Sequence, residues 1–156
     1  VGDDWTLSAG LTLLDSAYGE FLNTDALQGD AGVLQNKGNP LNKTPEQSLN
    51  VGIVRNMTFD SGANLALSLN TAYRSRTYFR EFGQIDDSQA AYTVVNFNAN
   101  FETADELFTT RFFVTNATNE AYVTDLSTGD SQYGRHVSWG MPRHVGIELT
   151  RHFGTR

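Results

Sequence analysis

The chain reads as an all-β protein, a fragment of about six strands from an antiparallel transmembrane β-barrel. Three observations predict this. Apolar residues recur at every second position in six separate stretches, the opposite face of each stretch is too polar for a buried core, and the connections between them alternate long, short, long, short, long. In membrane-spanning barrels the turns on one side are short, the loops on the other are long, and strands alternate apolar outward with polar inward.

The first stretch, Trp5 to Ser16, sets Trp5, Leu7, Ala9, Leu11 and Leu13 on one face against Thr6, Ser8, Gly10 and Thr12, with a slip at Leu14. From Tyr18 to Pro45 the chain carries Gly29, Gly32, Gly38, Asn39-Pro40 and Pro45 and keeps no period, which predicts a long loop. A structureless stretch of that length counts against a compact soluble domain. Gln47 to Phe59 returns to alternation through Leu49, Val51, Ile53, Met57 and Phe59, with Arg55 interrupting the apolar face. Asp60-Ser61-Gly62 is a tight-turn signal of the kind that joins antiparallel strands. Leu65, Leu67, Leu69, Thr71 and Tyr73 then run back, opposed to Ala66, Ser68, Asn70, Ala72, Arg74 and Arg76.

Arg80 to Gln89 is a polar connection containing Gly83 and the Asp86-Asp87 pair, read as a solvated turn. Ala91 to Glu102 places Val95, Phe97, Ala99 and Phe101 opposite Asn96, Asn98, Asn100 and Glu102. Asparagine is depleted from ordinary strands but suits a face that looks onto water. Thr103 to Glu106 turns the chain, and Phe108 to Asn116 runs back with Phe108, Phe112 and Val114 opposed to Thr109, Arg111 and Thr115. A long polar loop is predicted over Ala117 to Pro142. The last stretch closes with Val145, Ile147, Leu149 and Phe153 alternating with Gly146, Glu148, Thr150 and His152.

A strand of about 12 residues is ~40 Å long and, tilted near ~45°, rises roughly 28 Å, close to the hydrocarbon thickness. With Phe153 on the periplasmic side, both short turns fall in the periplasm and all three long connections outside. Trp5, Phe59, Phe101 and Phe153 then form an inner aromatic rim, with Tyr73, Phe79 and Tyr92 predicted at the outer one. Arg55 and Arg151 fall on the lipid face near its periplasmic end, where snorkelling brings the charge to water.

The net charge of -7, with only 11 Lys and Arg scattered among 156 residues, argues against a nucleic-acid partner. There is no cysteine, so neither a disulfide framework nor thiol chemistry is available. No run approaches the ~18 apolar residues of a transmembrane helix, and hydropathy windows average away a barrel strand. Val1 to Asp4 shows no signal-peptide pattern, and the chain is expected to be a piece of a longer protein.

Three stretches narrow the match. Phe112 to Val123 is similar to the penultimate-strand signature of TonB-dependent outer-membrane receptors, with Asn116, Thr118, Asn119, Glu120 and Tyr122 on the pattern and Ala117 where Leu is commoner. The ending resembles that family's last strand, which opens with the spacing of Gly140, Pro142 and Arg143; here Gly154-Thr155-Arg156 follows the final aromatic, Phe153. Thr44-Pro45 leading into Ser48 to Gly52 is similar to the family's passage from loop to strand. The resemblance implies that residues 1–156 are the C-terminal part of a receptor barrel of 22 strands, with the plug domain absent from this stretch. It implies uptake of a scarce nutrient, most naturally a ferric siderophore or similar iron complex, powered by the TonB complex through the missing N-terminal part. The implied partners are outer-membrane lipid, the remaining barrel strands, the plug, the TonB complex and the nutrient ligand. With fewer strands than the 8 of the smallest barrels, the chain alone is expected to keep two unpaired edges.

The alternative is a soluble all-β binding module, a sandwich or lectin-like domain, whose core would come from the same apolar stripes. Catalytic and metal sites are not expected. His144 and His152 lie ~26 Å apart on an extended strand, too far to share an ion with each other. His136 adds no ligand spacing, and Ser127, Ser131 and Ser138 stand outside any nucleophile elbow. Arg74, Arg76 and Arg111 face the predicted lumen and could meet an anionic ligand, or pair with acids such as Glu102 or Glu148. Tyr18, Phe21, Tyr122 and Tyr133 could stack on a ligand but do not by themselves define a site.

Overall fold

The computed structural model describes residues 3–28, 32–128 and 134–153. In chain order the strands are β1 (Asp3–Leu13), β2 (Leu22–Thr24), β3 (Val33–Gln35), β4 (Gln47–Thr58), β5 (Asn64–Arg74), β6 (Thr77–Tyr78), β7 (Ser88–Gln89), β8 (Tyr92–Glu102), β9 (Phe108–Thr115), β10 (Val123–Thr128), β11 (Arg135–Trp139) and β12 (His144–Arg151). A single 3-10 turn spans Ile85–Asp87. Six of the strands form one antiparallel sheet in the order β1-β4-β5-β8-β9-β12. Among these six, each strand neighbours the next along the chain, and β1 and β12 are the open edges, so the sheet does not close.

Register places whole rows of like side chains on one face. Leu7, Ile53, Leu69, Phe97, Val114 and Val145 lie directly across from one another, strand by strand. On the opposite face the row Asn56, Ala66, Asn100, Arg111 and Glu148 is polar. The apolar face is uncovered: Leu7 is 72 % exposed and Ile147 74 % on the edge strands, and Leu69 is 41 % exposed within the sheet. A soluble sandwich would bury these rows against a second layer. Among the described residues the buried apolar side chains are Ala63, Phe79 and Leu126, none of them in the six-stranded sheet. Among the described residues no second sheet layer packs on these rows.

The short turns are built as the sequence predicts. Gly62 has φ 87° and its N–H donates to Phe59 O at 2.8 Å; between β8 and β9, Glu106 takes φ 55° with its N–H on Thr103 O at 2.9 Å. Thr103 and the Leu107 N–H both hydrogen-bond the Asp105 carboxylate, which holds its pKa below the usual carboxylate range. The two arginines on the apolar face sit over aromatic rings at this end. Arg55 lies 5.1 Å from the Trp5 ring centroid, and Arg151 lies 5.5 Å from Phe108 and 4.8 Å from Phe153. Cation–π contact and the flexible stem make these positions tolerable on an apolar face.

The polar face is paved with small residues. At Gly52 a Cβ would stand 2.6 Å from Ser8 Oγ and 3.0 Å from Asn70 Oδ1, so glycine is what lets neighbouring strands share this row. Phe113 also lies on this face, opposite Asn98 and Gly146, and its ring occupies the space that a Gly146 side chain would need. Alternation assigned only polar residues to that side of β9. Phe113 instead fills the gap left by the glycine and carries Arg111, 4.9 Å from its centroid.

Candidate functional site in the long connections

All three long connections lie at the same end of the sheet, and they are folded rather than structureless. The first holds the β2–β3 hairpin, the second the β6–β7 pair and the third the β10–β11 hairpin. The polar loop predicted over Ala117 to Pro142 thus contains two strands, with Val123 across from Trp139 and Leu126 across from Val137.

Charged groups from the three connections meet in a buried cluster. Asp25 is fully buried, Asp87 is 1 % exposed and Arg80 is 7 % exposed. Arg80 donates to the Asp25 carboxylate through Nη2, and to Asp87 Oδ2 through Nη1 at 2.7 Å. It also lies 4.7 Å from the Phe82 ring centroid. Arg135, from the third connection, donates through Nε to Asp87 Oδ1 at 2.6 Å. Two arginines thus balance two carboxylates, as burial of charge requires. Burial works against the Asp25 carboxylate, but the hydrogen bond from Arg80, the Leu27 N–H and the nearby positive charge outweigh it and hold its pKa below the usual value. Burial likewise opposes the Arg80 cation, and the two carboxylates overcome it. The expectation that Asp86-Asp87 is a solvated turn is corrected here: Asp87 is the buried bridge between the second and third connections.

Further polar contacts complete the packing. Asn23 donates to Glu81 Oε1 at 2.6 Å, Asn39 to Glu81 O at 2.8 Å, and the Val123 N–H to Gln89 Oε1 at 2.7 Å. Lys43 pairs with Asp125 at 2.8 Å, which lowers the Asp125 pKa, and the Lys43 N–H donates to Tyr78 O at 2.7 Å.

Beneath these contacts lies a cavity of about 190 Å³ whose walls include Lys43, Arg74, Phe79, Gln89, Tyr92 and Thr124. It combines two cationic side chains, aromatic surface and several hydrogen-bonding groups, an arrangement suited to a small anionic or polar group. Two outer-rim assignments are corrected by it. Phe79 is buried in the cavity wall, and Tyr92 pairs with Arg74 on the polar face and stacks on Tyr122 with centroids 4.5 Å apart.

The stretch after β9 has its own geometry. Asn116 is 2 % exposed with φ 49°, and its Nδ2 donates to Glu120 O at 2.8 Å and Met141 O at 2.9 Å while its Oδ1 accepts the Glu120 N–H at 2.9 Å. Asn119, at φ 56°, accepts the Arg143 N–H at 3.0 Å. The Gly140 N–H donates to Tyr122 O at 2.7 Å, and a Cβ at Gly140 would overlap the Tyr122 ring. The asparagines, Tyr122 and Gly140 picked out in the sequence therefore form one joint that brings the chain back to the start of β12.

No model of a protein family matches the chain, and no curated protein matches it by sequence. Solved structures do. The chain superposes on the ferric yersiniabactin uptake receptor FyuA from Yersinia pestis with a TM-score of 0.64 at 18% identity, covering 73% of this chain and 17% of that one. It superposes on BauA, the ferric preacinetobactin receptor from Acinetobacter baumannii, with a TM-score of 0.58 at 21% identity, covering 73% of this chain and 16% of that one. The fold is that of the matched part of these two receptors, a section of an antiparallel β-barrel. The chain spans less than a fifth of either receptor's length.

On the polar face of the sheet the predicted ligand-facing arginines do not converge. Arg74 lines the cavity, Arg76 donates to Ser88 Oγ at 2.8 Å, and Arg111 sits deeper along the polar face with Asn98 Oδ1 at 3.2 Å and Glu148 at 3.6 Å. Tyr18 stacks on Phe21 with centroids 5.2 Å apart, while Tyr133 and Ser131 lie outside the described residues. His136 is in β11, His144 contacts Pro142 O at 2.8 Å and His152 contacts Thr109 at 3.3 Å, at separate places. Among the described residues no three His, Cys, Asp or Glu groups are placed to hold a metal. Sequence reasoning missed Asp25, Arg80, Asp87 and Arg135 as a group, because their partners lie up to 55 residues apart and no periodicity links them.

Proposed function

We propose that the chain is a C-terminal part of the barrel of an outer-membrane TonB-dependent receptor in a Gram-negative bacterium, taking up a scarce nutrient, a ferric siderophore or similar iron complex. The observation that carries this reading is the uncovered apolar face, continuous over six strands, on a sheet whose folded connections all gather at one end. Lipid is the solvent that suits such a face, and the gathered connections then form the extracellular mouth. The two superposed receptors both handle ferric siderophores, which supports the ligand class. Barrel strands from the rest of the receptor would cover the β1 and β12 edges. The plug would face the polar side, and the TonB complex would act through the plug.

The test is made on the full-length protein in its host. Deleting it should abolish accumulation of radiolabelled iron supplied as the cognate siderophore, and the protein should partition into the outer-membrane fraction. Recovery of the full-length protein from the soluble fraction without detergent would overturn the reading.

A further inference from the structure

The cavity beneath the connections is walled by all three of them and by the sheet. Lys43 comes from the first connection, Phe79 from the second and Val123 from the third, while Arg74 closes β5 and Tyr92 opens β8. Most of the polar groups around it are already engaged. Gln89 accepts the Val123 N–H through Oε1 at 2.7 Å and donates through Nε2 to Ala90 O at 3.0 Å. The Thr77 and Thr124 hydroxyls donate to Ser75 O at 3.3 Å and Ser138 O at 3.1 Å. What remains is a set of donors. Arg74 hydrogen-bonds the Tyr92 hydroxyl, which leaves its other N–H groups and the Tyr92 O–H unspent, and Lys43 keeps N–H groups beyond the one it gives to Asp125.

Among the described residues no Asp or Glu lines the cavity, and no carboxylate meets Arg74. Lys43 has its counter-charge in Asp125, so the cavity holds one cation without an acid. An excess of basic residues does not explain this, since the chain carries a net charge of -7. Donors without acceptors select an acceptor-only partner, and one unmatched cation selects one negative charge. An ionised carboxylate is both. Its two oxygens fit the planar guanidinium fork, whereas a phosphate monoester brings a charge of about -1.5 to -2 and leaves part of it unmatched.

Size and surface narrow the occupant further. At about 190 Å³ the cavity falls short of the ~300–1,000 Å³ that encloses a drug-sized molecule, so it takes a small acid or one arm of a larger compound and not a whole iron complex. Phe79 and Tyr92 offer aromatic surface to a hydrocarbon skeleton or ring that bears the carboxylate. The walls are set before anything binds: Tyr92 stacks on Tyr122 with centroids 4.5 Å apart, and the Gly140 N–H donates to Tyr122 O at 2.7 Å.

We propose that this cavity is a monocarboxylate-binding site, with Arg74 as the principal donor and Lys43 and the Tyr92 hydroxyl as its supports. The carboxylate belongs either to a free small acid or to an arm of the imported compound; the second source rests on the transport reading and the first does not. An occupant touches all three connections at once and fastens them to the sheet.

The experiment titrates benzoate into the full-length protein in detergent by calorimetry, with benzamide as the neutral counterpart of similar shape. Benzoate is expected to bind at one site, and benzamide at least about tenfold more weakly. Arg74→Gln should weaken benzoate about tenfold or more, Arg74→Lys less, because the charge stays while the fork is lost, and Arg111→Gln not at all. No saturable benzoate binding, equal binding of benzamide, or full affinity in Arg74→Gln would each overturn the proposal, and the comparison of the two probes on the unsubstituted protein depends on no variant. Iron uptake in the host then assigns the source. Competition by benzoate together with a raised KM in Arg74→Gln puts the carboxylate on the imported compound, and uptake unaffected by either puts it on a free acid. A failure of benzoate to bind leaves the transport reading standing.

Discussion

Asn116→Gly in the full-length protein should loosen the joint between β9 and β12 without unfolding the sheet. Asn116 makes three side-chain hydrogen bonds, two donated to carbonyls and one accepted from an N–H, at a site that is 2 % exposed. At about 1 kcal/mol net per bond, removing the side chain costs about 3 kcal/mol locally. Glycine accepts the φ of 49° without strain, so this figure isolates the hydrogen bonds. Asn116→Ala removes the same bonds and adds roughly 1 kcal/mol for holding a Cβ in the left-handed region. Asn116→Asp keeps the acceptor for Glu120 but turns a donor into an oxygen facing two carbonyls, and should be at least as damaging as glycine. Hydrogen exchange of the Glu120 amide and of residues 141–145 reads the effect directly, with about 3 kcal/mol appearing as roughly a hundredfold faster exchange by local opening. Exchange in Asn116→Gly equal to that of the unsubstituted protein would refute the reasoning, because the bonds would then contribute nothing to holding the joint.

Three further outcomes follow from the same structure. Gly146→Ala places a Cβ 2.7 Å from Phe113 Cε1, so the ring must move, and a loss of about 1–3 kcal/mol is expected in urea unfolding from detergent; adding Phe113→Leu should recover part of it, and an unchanged midpoint would show the ring free to swing aside. Asp25 is a carboxylate whose folded pKa lies below its ordinary 3.8, so its contribution is complete above that value and is lost only as pH falls through the lower, folded one. The protection of amides in 14–28, taken relative to their intrinsic exchange at each pH, should therefore be unchanged by acidification from neutral to about pH 5, and opening already within that window would contradict the assignment. The isolated chain, with both β1 and β12 unpaired, should associate through its edges in detergent, and a folded, heat-modifiable monomer would count against the open sheet.

The sheet was legible because its rule is local. Alternation predicts a strand over Gln47 to Phe59 and β4 runs Gln47–Thr58; it predicts one over Ala91 to Glu102 and β8 runs Tyr92–Glu102. Period-2 alternation with one polar face needs only neighbouring residues, and the turn chemistry of Asp60-Ser61-Gly62 marks where it reverses. The connections obey no such rule. The β2–β3 strands have three residues each and the β6–β7 strands two, too short to display a period. Arg80 and Asp87 looked like ordinary solvated charges, since their burial depends on Asp25 and Arg135 arriving from other connections. Phe113 was overlooked on β9 because an aromatic on the polar face makes sense only when Gly146 is known to lie opposite. The Asn116 to Tyr122 signature is a visible pattern in the sequence, but its physical reason, a left-handed asparagine fastening two chain segments, lies in contacts with Met141, distant along the chain.

The pairing order of the sheet also bears on how quickly it can be assembled. Every ladder of the six-stranded sheet joins strands that follow one another along the chain within that sheet, and two of them, β4–β5 and β8–β9, are closed by turns of only five residues. Bringing such ends together costs little chain entropy, so these two hairpins are the natural nuclei of the segment. β1 and β12 must instead wait for the long connections to bring them in. The buried charges of those connections come together last, when strands already in register hold the three loops side by side.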